Sequence, residues 1–188
     1  MKVLPAIFKR LGRVASQLRL KILCGAREIE AGGGCSLSAN VRLRATDGGT
    51  VHLGEGVAID RFADITAKHG RLVVGRFSYI GQYSVICSRD AIIIGSNCLI
   101  AEHVTIRDQD HRFGPGLVTA KAGFITAPIN IGDNVWLGAK VTVTKGVTIG
   151  PGSVIGANSV VTQDIPANSV VVGVPARVLR SLPDASAE

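Results

Sequence analysis

An aliphatic residue returns every sixth position along most of this chain. The pattern is plainest in IGDNVWLGAKVTVTKGVTIGPGSVIGANSVVTQDI, residues 131–165, where Ile131, Leu137, Val143, Ile149, Ile155 and Val161 recur and Gly often follows. Six is neither the 3.6-residue period of a helix nor the two-residue alternation of a half-buried strand. Upstream the same register gives Leu53, Ile59 and Ile65, then Val74, Ile80 and Ile86, then Ile94, Ile100 and Ile106. Three hexads make one turn of a triangular parallel β-solenoid. The aliphatic points inward, the small residue behind it lets the chain round the corner, and strands of successive turns pair about 4.8 Å apart. A turn buries its interior only against its neighbours, so several must stack. Five are legible, and residues 35–50 read as an irregular earlier one.

Composition suits that scaffold. Of 188 residues, 46% are hydrophobic but only 4% aromatic, and 23 are Gly, so the core is built from small aliphatics. No run reaches the roughly 18 apolar residues of a transmembrane helix, and no apolar segment with a cleavage site suggests a secretory signal. Cys24, Cys35, Cys87 and Cys98 form no CxxC pair and no zinc spacing. They read as reduced thiols packed as small hydrophobes in a cytosolic protein. A net charge of +7 suits phosphorylated ligands or an anionic surface. No nucleic-acid-binding motif is present.

The register breaks at RDQDHRFGPGLVTAKAGFITAP, residues 107–128, which reads as a loop thrown out of the prism at about 107–129. Residues 1–28 read as a basic amphipathic helix, with Leu4, Ile7, Leu11, Val14, Leu18 and Ile22 on one face. Such a helix either caps the open end of the solenoid or rests on an anionic membrane surface, which would place the protein peripherally at the inner membrane face. The expected organisation is this helix, a solenoid over 29–181, and a polar tail over 182–188.

INIGDNVWLGAKVTVTKGVTIGPGSVIGANSVVTQDIPANSVVVGVPARVLR resembles the hexapeptide-repeat O-acetyltransferases, in particular the group that holds maltose, galactoside and nodulation-factor acetyltransferases and their relatives in polysaccharide biosynthesis. The similarity spans about residues 50–181, and NVWLG and GVPARVLR are its most specific parts. The resemblance implies an all-β, left-handed parallel β-helix, acetyl-CoA as co-substrate, no metal, and a homotrimer with sites between adjacent prisms.

It also implies site residues. His111, in RDQDHRFGPG, matches the general base, five residues past the last aliphatic before the loop. Imidazole suits deprotonation of a hydroxyl at neutral pH. Asp108 and Asp110 flank it, and either could orient the ring. Trp136 matches a cleft residue near the thioester and the acceptor. Ala139 matches a position whose backbone N–H meets the acyl carbonyl. Small residues at Gly138, Gly156 and Ala157 would let the amide arm lie along the solenoid. Thr162 falls near the adenine, and Arg177 and Arg180 match phosphate-binding positions. The family's acceptor-contacting Asn is missing. Gln82, Ser84, Tyr83 and Arg89 stand in that region instead, with Gln82, Ser84 and Trp136 the expected acceptor contacts.

The activity so implied is direct O-acetylation of a sugar hydroxyl in cell-surface polysaccharide or glycolipid synthesis, on a glycan acceptor that could be lipid-linked. N-acetylation of an amino-sugar nucleotide uses the same base and is the nearest alternative. A catalytically silent β-helix scaffold is the alternative of another class.

Overall fold

Each aliphatic of the hexad series faces the inside of a three-sided prism. The computed structural model describes residues 28–183 together with Ser16 and Leu20. The first coil is β1 (Ile29–Ala31), β2 (Ser36–Leu37) and β3 (Arg42–Thr46), and the second is β4 (Thr50–Leu53), β5 (Ala58–Ile59) and β6 (Asp64–Lys68). The third is β7 (Arg71–Val74), β8 (Tyr79–Ile80) and β9 (Val85–Ser88), and the fourth β10 (Ala91–Ile94), β11 (Leu99–Ile100) and β12 (Thr105–Arg107). A hairpin, β13 (Gln109–His111) and β14 (Phe124–Thr126), then leaves the prism, with a single 3-10 turn at Thr119–Lys121. The fifth coil is β15 (Ile129–Ile131), β16 (Trp136–Leu137) and β17 (Thr142–Val143), and the sixth β18 (Thr148–Ile149), β19 (Val154–Ile155) and β20 (Val160–Val161). β21 (Ser169–Gly173) stacks on β19, and β22 (Ala176–Ser181) returns antiparallel beside it.

The strands form three parallel faces. Face A holds the first strand of each coil, face B the second, with β21 and β22 at its end, and face C the third. Aliphatics stack in register along each face. On face B, Leu37, Ile59, Ile80, Ile100, Leu137, Ile155 and Val171 form one buried column. The hexads therefore map onto the core as expected. The irregular earlier turn is an ordinary first coil: Leu37 and Leu43 are buried and pair with Ile59 and Ile65.

Coil length falls along the prism. Partners on face B are 22 residues apart in the first step (Leu37 to Ile59), then 21 (Ile59 to Ile80) and 20 (Ile80 to Ile100). After the hairpin they are 18 (Leu137 to Ile155) and 16 (Ile155 to Val171). The longer early coils take their extra residues at the corner between faces C and A, so these coils have two inward side chains on a strand, as with Ile65 and Ala67 in β6.

The small residue behind each aliphatic is fixed by the next coil. A Cβ on Gly75 would overlap the backbone of Gly95 and Ser96. Gly75→Ala is expected to cost about 1–3 kcal/mol, the range for overpacking, seen as a lower urea midpoint with unchanged slope. Gly33→Ala, where a Cβ meets nothing within 4 Å, is the matched control and should leave the midpoint in place.

Most of the helix expected over residues 1–28 lies outside the described residues, as do residues 184–188 of the tail. Ser16 and Leu20 are buried, and Ser16 Oγ accepts the Leu37 N–H at 2.7 Å. Among the described residues no helix is long and apolar enough to cross a membrane.

Candidate functional site

The hairpin springs from the corner between faces C and A. Asp108 lies two residues past inward-facing Ile106, so its carboxylate enters the prism above Ser88. It is fully buried. It accepts the Ser88 hydroxyl at 2.9 Å and the N–H groups of Arg89 and Asp90, each at 2.8 Å. Its own carbonyl accepts the Ala127 N–H at 3.0 Å, which ties the two ends of the loop together. Asp108 thus joins the loop to the corner of the coil beneath and makes no hydrogen bond to the imidazole. This corrects the orienting role expected of it. Asp110 is engaged by Lys145 Nζ at 2.6 Å, and no hydrogen bond joins either carboxylate to His111 among the described residues.

The ring of His111 packs against an aromatic side chain instead. β13 and β14 place Phe124 directly across from His111, and the rings lie 4.4 Å apart at 39°. The Arg89 guanidinium sits over the same Phe124 ring, 3.7 Å from its centroid. Cross-strand pairs of this kind stabilise a hairpin. Phe124 was not singled out from the sequence, because the pairing depends on where the loop turns. His111 is exposed, as a base that must meet a substrate has to be.

A second group of residues lies on face B. Trp136 begins β16 and is 51% exposed. The pairing puts Trp136, Val154, Val170 and Arg180 in one outward column. Trp136 and Arg180 are three strand spacings apart, about 14 Å. Arg177 lies on the same β22 with a guanidinium N–H donating to the Ala176 carbonyl at 2.8 Å, and Arg180 is exposed. Ala139 and Ala157 sit at the adjoining corner between faces B and C, and their N–H groups have no acceptor among the described residues. Two open donors, an exposed indole and two cations along one side fit an acylated pantetheine nucleotide.

Gly138 and Gly156 have a more immediate reason to be small. A Cβ on Gly138 would stand 2.7 Å from the Ala157 nitrogen, and one on Gly156 2.8 Å from Val172 Cγ1. Stacking of the coils dictates these glycines whether or not a ligand passes. Thr162 is exposed just past β20, at the corner between faces C and A, and does not join the face B column.

The acceptor residues separate. Ser84 is fully buried. Its hydroxyl donates to the Ala101 carbonyl at 2.9 Å and accepts the Val104 N–H at 3.2 Å. It clamps one coil to the next and has no surface to offer, which corrects its reading as a substrate contact. Gln82 borders an open pocket of about 180 Å³ with Tyr79, Tyr83, Glu102 and His103. Beside it Phe62, Tyr83 and His103 form a ladder, with rings 5.0 and 5.1 Å apart and nearly parallel.

Cys35 and Cys98 are buried and Cys87 is partly so. Burial pushes the Cys98 thiol up from its ordinary value, consistent with a packing role.

Residues 128–163 match the family described as bacterial transferase hexapeptide (six repeats). A galactoside O-acetyltransferase of Escherichia coli is 43% identical over 111 residues, 59% of this chain and 54% of that protein. A hexapeptide-repeat-containing acetyltransferase of Vibrio cholerae, solved with acetyl coenzyme A, is 30% identical with a TM-score of 0.60, covering 82% of this chain and 72% of that one. This chain belongs to the hexapeptide-repeat acetyltransferase family. The hexapeptide fold is shared more widely: an N-acyltransferase of Bacillus cereus, solved with dTDP and 3-hydroxybutyryl-CoA, superposes with a TM-score of 0.75 over 89% of each chain at 22% identity. The chain spans about half the length of the E. coli relative.

Proposed function

We propose that this hexapeptide-repeat protein transfers an acetyl group from acetyl-CoA to a sugar hydroxyl, in the synthesis of a cell-surface polysaccharide or glycolipid. The observation that carries the reading is an exposed histidine on the hairpin, in a chain whose face B and adjoining corner offer open N–H donors, an indole and guanidinium groups. His111 removes the hydroxyl proton as the sugar oxygen attacks the thioester carbonyl. The new C–O bond replaces the C–S bond, and the proton passes from the imidazolium to the departing thiolate. The Ala139 N–H is placed to donate to the carbonyl oxygen as charge builds there, a contribution of several kcal/mol at such sites. Trp136 shields the reacting groups, and Arg177 and Arg180 pair with phosphate oxygens.

The geometry also bears on assembly. In a triangular prism the corner between faces C and A lies opposite face B. His111 and the Trp136–Arg180 column are therefore on opposite sides of one chain. The loop exposes Phe113, Leu117, Val118 and Ile125, and face B exposes Leu99 and Trp136. Two different apolar surfaces set apart on one subunit make a head-to-tail contact, which closes into a ring when the rotation permits. A homotrimer with each site shared between neighbours satisfies both surfaces.

The test is acceptor-dependent thiol release from acetyl-CoA over a panel of sugars, nucleotide sugars and lipid-linked glycans, with subunits mixed by co-expression. His111→Ala and the double variant Trp136→Ala/Arg180→Ala should each be nearly inactive. Co-expressed, they should recover roughly a quarter of the wild-type rate, the statistical expectation for a closed three-fold ring with shared sites. A mixture no better than its parents rules out the shared site. Wild-type protein that binds acetyl-CoA but acetylates nothing would point to a scaffold. Hydroxylamine cleaves an ester product and spares an amide, so the same product separates O- from N-acetylation.

A further inference from the structure

Arg89 occupies an unusual position for a cation. It lies at the corner between faces C and A, one coil below the hairpin. Its backbone N–H is taken by buried Asp108. Its guanidinium lies over Phe124, which in turn packs at a tilt against His111. The two contact distances place the guanidinium carbon no more than about 8 Å from the centre of the imidazole, in a half-buried position. Stacking uses the flat face of a guanidinium and leaves its N–H edge free. No carboxylate pairs with that edge among the described residues. Asp108 is fully engaged with backbone and Ser88, and Asp110 with Lys145.

Two more guanidiniums share the surroundings. Arg107 ends β12 at the root of the hairpin, and Arg112 follows His111, its Nε donating to the Phe124 carbonyl at 3.2 Å. Neither forms an ion pair among the described residues. A partly desolvated arginine without an anion is unfavourable, and an oxyanion bound by its free edge removes that cost through charge-assisted, bidentate hydrogen bonds.

We infer that the acceptor carries a negative charge close to the hydroxyl it presents, and that Arg89 is the specificity-determining residue that binds this charge. The inference rests on the proposed acetyl transfer and narrows its substrate class to acidic glycans. The bound group is a planar or tetrahedral oxyanion, either the carboxylate of an acidic sugar or a phosphate on a sugar. Arg89 fixes it on one side of Phe124, and His111 reaches the neighbouring hydroxyl from the other. Phe124 sets the distance between charge and base.

The experiment compares three acceptors of similar size: methyl glucoside, methyl glucuronoside and glucose 1-phosphate. Each is assayed for acetyl transfer and separately titrated against the full-length protein by calorimetry. Arg89→Gln is the variant. Arg44→Gln, at an exposed arginine two coils away that contacts Asp64 and Thr66, is the charge-matched control. The expected result is that one charged acceptor is preferred over the neutral one, and that Arg89→Gln raises its KM about 10–100-fold, the scale of a lost charge-assisted hydrogen bond. The KM for acetyl-CoA and the response of Arg44→Gln should stay at wild-type values. Preference for the glucuronoside identifies a carboxylate, and preference for glucose 1-phosphate a phosphate. Equal use of charged and neutral acceptors overturns the inference and leaves acetyl transfer intact. So does a substitution that weakens subunit assembly without changing acceptor KM, because a neighbouring subunit would then be supplying the anion. If no acceptor is acetylated, the functional reading fails, and the titrations decide separately. Charged-acceptor binding that Arg89→Gln weakens still supports an oxyanion site, and binding that it leaves unchanged, or none, overturns it.

Discussion

His111→Ala is expected to lower kcat by about 10²- to 10⁴-fold, the usual contribution of a positioned general base, with the KM for acetyl-CoA changed little. The split follows from the layout of the chain. The imidazole is on the hairpin, and the residues suited to the nucleotide are on face B, so loss of the ring removes proton transfer without touching cofactor binding. The variant should fold normally, since the exposed ring contributes only its tilted contact with Phe124. Steady-state kinetics with an accepted sugar, beside a urea melt, would check both points. A variant that keeps more than about a tenth of wild-type kcat, well above the residue expected after loss of a general base, would remove His111 from the proton path.

Asp108→Ala should have the largest effect on the framework of the site. The carboxylate satisfies Ser88 Oγ and the N–H groups of Arg89 and Asp90 inside the prism. Removing it strands those donors, at about 1–3 kcal/mol for each buried group left unpaired. A total loss near 3 kcal/mol is expected, since water will reach some of them. Asp108→Asn keeps one oxygen acceptor and should lose less. The loop should also loosen, because Asp108 anchors its first strand. Trypsin should then cut after Arg112 or Lys121 faster in the alanine variant than in wild-type protein, ahead of any cut in the coils. Unchanged stability with unchanged cleavage would show that the loop is anchored elsewhere. Activity should fall with Asp108→Ala through misplacement of His111, and Asp108→Asn should restore most of it, as befits a positioning residue.

The solenoid was legible because every coil must place a large aliphatic at the same inward point, and that requirement prints a six-residue period onto the chain. A second inward column left a fainter trace. Four residues after most of these aliphatics comes a buried side chain, such as Ser84 after Ile80 or Val104 after Ile100. With that column in view, Ser84 is an interior clamp and not a substrate contact. Asp108 follows the same logic: in the longer coils the residue two past the face C aliphatic also points inward, as Ala67 and Ser88 do. The location of His111 on an ejected loop was readable from the broken register. The stacking of Phe124 was not, because it depends on the hairpin register, nor was the Phe62–Tyr83–His103 ladder, because it depends on how many residues each coil spends at its corners. That His111 and Trp136 lie on opposite sides could have been found by assigning hexads to faces in threes.

The column of paired residues runs across the hairpin without a break: Ile92 pairs with Ile129, Ile100 with Leu137 and Ile106 with Val143 as though nothing had been inserted. The prism and the hairpin are therefore distinct parts, joined where Asp108 and Ala127 meet and tied again by Asp110 with Lys145 and Phe124 with Arg89. Shortening the loop beyond that junction is expected to leave the coils stacked in register, which a urea melt would check. With the loop meeting the acceptor as proposed, new acceptor preferences can arise in this one insertion while the scaffold that presents it keeps its shape.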